Sequence, residues 1–236
     1  MTAPLPLSAS SSRAFARLAA DLTRIFRDRF VALVAYDPAA SLGFVETLTA
    51  DDLEACSALV ETWHREALAT PLVLTPDEFR RSLDAFPLEY QAILDRHVLV
   101  AGRDPFGGCR IDAADLRRAC ETQARSHLIH LRQGWMEAGA HPHELVGLVA
   151  RSAAPLRALL TSVAELQGVK VASADELAAF AEREAGMAGA VVRAVLALEN
   201  TTPEHDQDVR SLLPAYLEAA GRLWSFIDAW KSRRRP

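Results

Sequence analysis

The sequence predicts an α+β chain, with a small mixed-sheet unit first and an α-helical bundle after it. Two observations carry that prediction. Short runs of apolar and β-branched residues bounded by turn residues, such as 30–36 and 71–74, all fall before Gly107. From Asp112 onward apolar residues recur at helical spacing and no strand-like run stands out. Residues 1–12 read as a loose arm, 13–107 as the α/β unit, 108–231 as the bundle and 232–236 as a basic tail.

Each element has its own signal. Pro, Ser and Ala dominate the first twelve residues, a composition typical of an unanchored terminus. Phe15, Leu18, Leu22, Ile25 and Phe26 form one apolar stripe, so a helix is expected over 13–29. Residues 30–36 are apolar almost throughout, as in a strand covered on both faces. Residues 43–49 mix aromatic and β-branched side chains and read as a second strand. Thr49 can cap a helix reaching about Ala67, with Asp51 and Asp52 in the first turn, where carboxylates offset unpaired N–H groups. Residues 71–74 form a short third strand. Thr75-Pro76-Asp77-Glu78 then starts a helix: a capping threonine, a proline at the first helical position, and a glutamate spaced to close a capping box. Residues 86–101 end in a further β-rich run, closed by a turn over 102–108.

Helices are expected over 112–138, 143–167, 173–184, 189–198 and 206–231, broken at 139–142, Gly168, Gly186 and 200–203. Ser173 and Glu176 repeat the capping-box spacing. The last helix has more large apolar residues than one stripe needs, among them Leu217, Trp224, Phe226 and Trp230. Core packing accounts for them first, and a dimer seam or a pocket between helices second.

Half of the 236 residues are hydrophobic and about a quarter are charged, a globular composition. No apolar run approaches the ~20 residues of a membrane span. The first residues lack the basic-then-apolar pattern of a secretory leader. Three cysteines, Cys56, Cys109 and Cys120, with no CxxC, suit a reducing compartment and exclude a cysteine-rich zinc module. Cys56 and Cys120 fall in helical patterns and read as small core residues. A cytoplasmic protein without a membrane partner is expected. The net charge of −5 argues against a nucleic-acid partner. The basic run from Lys231 to Arg235 reads as the solvated end of the last helix.

Four stretches carry a resemblance: FVALVAY at 30–36, TPLVLTPDEFRRSLDAFPLEYQAIL at 70–94, RHVLVAGRDPF at 96–106, and ETQARSHLIHLRQGWMEAG at 121–139. In this order they resemble the two-domain nucleotidyltransferases related to aminoglycoside adenylyltransferases. The resemblance implies a first strand that runs into a phosphate-cradling Gly-Ser turn. It also implies a following strand with an Asp-x-Asp or Asp-x-Glu pair for magnesium. Here Asp37 and Pro38 replace the Gly-Ser pair, and Leu42 and Phe44 stand where the acids belong. Proline offers no N–H, and the Asp37 carboxylate repels phosphate. Without paired carboxylates nothing fixes two magnesium ions for in-line displacement. The expectation is a catalytically degenerate nucleotidyltransferase-like protein acting in binding or scaffolding. No cofactor is expected, and a homodimer through the helical domain is the candidate assembly.

Two alternatives come with named residues. An active nucleotidyltransferase with a displaced metal site would use magnesium and a nucleoside triphosphate on a small molecule or protein. Its acids would come from Glu46, from Asp51 and Asp52, or from Asp77 and Glu78. Separately, Arg125 and His130 resemble the R-x4-H motif of HEPN ribonucleases, which also occur as toxin–antitoxin components. An arginine there would steady a phosphate and a histidine would protonate a leaving group. A polar stripe on a helix accounts for the same pair. His127 and His130 share a helical face within reach of Glu121 or Asp115, an incomplete metal set without a third firm ligand. His141, His143 and Glu144 read as a loop and first turn. No G-x-S-x-G, G-x-G-x-x-G or Walker A pattern occurs.

Overall fold

The first helix starts earlier than its apolar stripe suggests. In the computed structural model, which describes residues 5–139, 141–199 and 209–230, α1 spans Ala9–Phe26. Ser8 caps it by accepting from the Ser11 N–H at 3.0 Å. Residues 9–12, expected as part of a loose arm, are therefore helical, and Leu5 ahead of them is buried. The serine-rich run that read as arm is a capping serine, Ser8, and the first turn of the helix it starts. A single 3-10 turn, Arg27–Arg29, links α1 to the sheet.

The chain divides into two compact units, Met1–Ile111 and Asp112–Pro236. The first is built on a four-stranded mixed sheet of order β3-β2-β1-β4. β1 (Phe30–Ala35) pairs antiparallel with β2 (Ser41–Val45) and with β4 (Val98–Gly102), and β2 pairs parallel with β3 (Leu72–Leu74). A parallel partner needs a crossover, supplied by α2 (Ala50–Ser57) and α3 (Val60–Arg65). The second strand starts and stops earlier than expected. After Val45 the chain leaves the sheet toward the Thr49 cap. The single helix expected up to Ala67 is broken at 58–59, where the Leu59 N–H tightens onto the Cys56 carbonyl at 2.9 Å. The restarted helix seats Trp63 in the core, its Nε1 donating to Asp21 at 3.1 Å.

Both faces of the sheet are covered, which explains the unbroken apolar run of β1. Leu33, Ala35 and Val45 meet Phe15, Leu18, Leu22 and Phe26 of α1 on one face. Ala32, Val34, Leu42 and Phe44 meet Phe79 of α4 (Pro76–Arg81), Ile93 of α5 (Pro87–Asp95) and Phe106 on the other. Thr75 and Glu78 form the expected capping box. Thr49 forms a second with Asp52. Gly102 ends β4 with a φ of +86°, and a Cβ there would lie 2.1 Å from the Val31 carbonyl oxygen. Only glycine allows that approach where β4 ends against β1, opposite Ala32.

The second unit contains α6 (Ala113–Ala138), α7 (Pro142–Leu166), α8 (Ala174–Ala185), α9 (Gly189–Ala197) and α10 (Val209–Ala229) among the described residues. α6 packs on α7 and α10, and α8 on α9. Asp112 caps α6 through the Ala114 N–H at 2.7 Å. Ser173 caps α8, but Glu176 reaches back to the Ala172 N–H at 2.6 Å instead of closing the box on Ser173. α7 is long and apolar enough to cross a membrane by length and composition, with 44% of that window buried. Its Leu156, Leu159, Leu160 and Val163 lie in the core of this unit. The break expected at 200–203 and the basic tail lie outside the described residues.

Candidate functional site

The β1–β2 connection is a tight turn. The Tyr36 N–H donates to the Ala40 carbonyl at 3.2 Å. The Asp37 carboxylate accepts from the Ala39 N–H at 3.1 Å. Asp37 is thus spent on folding its own turn, as short acidic side chains do, and Pro38 has no N–H for a ligand. Alternation along β2 turns Leu42 and Phe44 to the same face. Both side chains are fully buried. The Phe44 ring meets Phe79 at 5.5 Å and Phe106 at 5.6 Å, both edge to face. The face that the resemblance assigns to metal ligands is a packed aromatic core, and the residues at these positions do not fit a magnesium pair.

The displaced acids do not converge. Glu46 lies just past β2, more than half exposed, with Arg103 at 3.4 Å. Asp77 is 73% exposed and faces Arg80 at 3.6 Å. Glu78 accepts from the Thr75 N–H at 2.7 Å. Asp52 accepts two hydrogen bonds from Arg29, at 2.7 and 2.8 Å, and two more from Thr49. Among the described residues no three His, Cys, Asp or Glu side chains form a metal-sized group.

The same unit carries an open groove of about 1030 Å³ between the edge strand β3 and the α4–α5 pair. Leu72 of β3 and Phe86 before α5 are 58% and 52% exposed in it. Tyr36, Arg81, Glu89, Tyr90 and Ile93 complete the lining that matters chemically. Tyr90 tilts against Phe79 at 4.5 Å and Phe86 at 5.8 Å, so one wall continues into the aromatic core. Burial raises the Tyr36 hydroxyl above its usual pKa, with the Asp37 charge adding to it, so it remains a proton donor. Sequence reasoning missed this groove. Its residues come from three separated segments, and only the exposed Phe86 beside Pro87 stands out locally.

In the helical unit, Arg125 and His130 do line one shallow groove of about 320 Å³, together with Glu121, Ser126 and Ile129. Arg125 stacks over Trp224 at 5.0 Å and lies 3.8 Å from Glu121. His130 shares a 3.1 Å hydrogen bond with Ser126. His127 does not join His130 as a ligand pair. It points into the core and shares a 2.7 Å hydrogen bond with the Tyr216 hydroxyl, which also meets Ser152 at 3.0 Å. Glu121 is paired with Arg117, and Asp115 with Arg118. His141 precedes α7, its Nδ1 at 3.1 Å from the Ala138 carbonyl. Cys56 and Cys120 are buried, and burial pushes the Cys120 thiol up to about 12.

No protein-family model matches this chain, and no curated protein matches it in sequence.

Proposed function

We propose that this chain is a catalytically degenerate nucleotidyltransferase-like protein that works by binding rather than by nucleotidyl transfer. The observation that carries the reading is the burial of Leu42 and Phe44 among aromatic rings. A two-metal transfer needs paired carboxylates open to the substrate on that strand face. The order helix, strand, turn, strand, crossover and parallel strand supports a shared framework. The short Asp37-Pro38 turn supports loss of the phosphate cradle. A displaced metal site built on Glu46 or Asp77 has less support, since each faces an arginine, and Glu78 beside Asp77 is held in the Thr75 capping box. For the assembly, Ile129 and Met136 stand seven apart on α6, 52% and 78% exposed, where a homodimer of helical units would cover them.

The test is calorimetric titration of the full chain with ATP, GTP, CTP and UTP, with and without magnesium. The expected outcome is no magnesium-dependent heat. Magnesium-dependent micromolar binding, or transfer of labelled nucleotide to any acceptor, overturns the reading.

One observation favours a second reading. Arg125 and His130 open onto the same groove, the arrangement a HEPN-like ribonuclease needs to hold a phosphate and deliver a proton. Both side chains already have protein partners, which is why this reading ranks second. RNA cleavage in EDTA that is lost in Arg125→Ala and His130→Ala would establish it, and intact RNA would dismiss it.

A further inference from the structure

The groove beside β3 combines features that the loss of a metal site does not explain. Leu72 and Phe86 leave more than half of their surface in water within one concavity. Large apolar side chains gathered in a concave site mark a place that a ligand covers. The volume, about 1030 Å³, is at the upper end of the roughly 300–1,000 Å³ typical of small-molecule sites.

Its charges are not all spent. The Glu78 carboxylate is held by the Thr75 N–H and fills the capping box. Glu89 stands in the first turn of α5, where it offsets unpaired N–H groups. Arg81 has no hydrogen bond or ion pair among the described residues, and only its charge is felt by Glu78. The neighbouring Arg80 is the one that faces Asp77. The Tyr36 hydroxyl likewise has no hydrogen-bond partner among the described residues. Two donors are thus left over beside an apolar wall.

We propose that this groove binds a small amphipathic monoanion, with its aliphatic or aromatic body on Leu72, Phe86 and Ile93 and its acid group on Arg81. A single guanidinium matches a single carboxylate or sulfonate, and a charge-assisted bond is shorter and stronger than a neutral one. Nucleoside triphosphates fit poorly, because Arg81 is one cation against their several negative charges, and Glu78 and Glu89 repel what it leaves unpaired. An added peptide strand also fits poorly. β3 is three residues long, with Pro71 before it and Pro76 after it, so its free edge supports few backbone hydrogen bonds. This inference rests on the reading of the chain as a binding protein.

The experiment uses the full chain and two fluorescent probes that share one body. These are 8-anilinonaphthalene-1-sulfonate and its uncharged parent N-phenyl-1-naphthylamine. Both are expected to bind, the sulfonate more tightly, and decanoate is expected to displace both. Arg81→Gln should weaken the sulfonate about tenfold and leave the neutral probe within about twofold. Phe86→Ala should weaken both, and because that side chain is half exposed the fold should survive, as circular dichroism can verify. The proposal is overturned if neither probe binds, if Arg81→Gln leaves the sulfonate's advantage intact, or if Phe86→Ala changes neither. Such a failure leaves the non-catalytic reading standing. Magnesium-dependent nucleotide binding would sink that reading whatever the probes do.

Discussion

The Tyr216 hydroxyl lies 2.7 Å from His127 Nε2 and 3.0 Å from the Ser152 hydroxyl, in the middle of a three-residue polar chain. The three residues come from α6, α7 and α10, so one short chain of hydrogen bonds ties three helices together. Tyr216 is fully buried. Tyr216→Phe keeps the ring and removes the shared partner, leaving a buried imidazole nitrogen unmatched. The helical unit should lose about 1–3 kcal/mol, measured as a lower urea midpoint.

His127 makes the same unit acid-sensitive. Burial, with the nearby His130 adding to it, lowers its pKa to about 4 from an ordinary 6.5. The unfolded chain binds the proton that the folded state refuses. Stability from this group is therefore complete above about pH 6.5 and is lost as pH falls toward about 4. The full change is of order 3 kcal/mol. The urea midpoint should fall between about pH 7 and about pH 4.5, and fall less in His127→Gln.

Asp52 carries the N-terminal counterpart. The Arg29 hydrogen bonds, then those of Thr49, hold its carboxyl well below the usual carboxylate range against the opposing effect of burial. That stability is present above about pH 4 and is lost as pH drops further. At neutral pH, Asp52→Asn should lower the unfolding midpoint clearly, while Asp77→Asn, at a 73% exposed pair, should leave it unchanged.

Phe44 tests the filled strand face. Phe44→Ala removes a ring locked between Phe79 and Phe106 and should cost about 3–5 kcal/mol. Phe44→Asp should abolish folding of the N-terminal unit rather than create a magnesium site, because the new carboxylate has no partner in that core. Circular dichroism and calorimetry with magnesium separate the two outcomes.

Gly102 tests the close approach of β4 to β1. Gly102→Ala sets a Cβ against the Val31 carbonyl at a positive φ and should cost more than about 1 kcal/mol. Gly107→Ala, with nothing within 4 Å of its Cβ, should stay within about 0.5 kcal/mol. Denaturation of the two variants side by side measures the difference.

The lack of acids at Leu42 and Phe44 was legible in the sequence. The strand expected there spans 43–49, however, and only the observed start at Ser41 puts both residues on one strand face. The groove was not legible. Leu72, Arg81 and Phe86 become neighbours only when β3 takes the sheet edge and α4 and α5 fold beside it. Arg125 and His130 were named from spacing, yet their groove and the Trp224 stack depend on α10.

Local chemistry by itself determined several helix starts. Thr49, Thr75 and Ser173 announce helices through bonds to backbone three residues away. Apolar periodicity separates the sheet-bearing unit from the helical one. Tertiary structure alone decided the roles of several polar residues. Asp52 read as a simple first-turn acid, and Arg29, 23 residues earlier, makes it one half of a bidentate ion pair. His127 read as part of an incomplete metal set with His130, and Tyr216, 89 residues away, makes it a buried tie. The physical reason is range. A cap or a stripe is written within a few turns of chain, whereas the partner of a buried charge or imidazole is chosen by which distant segments pack together.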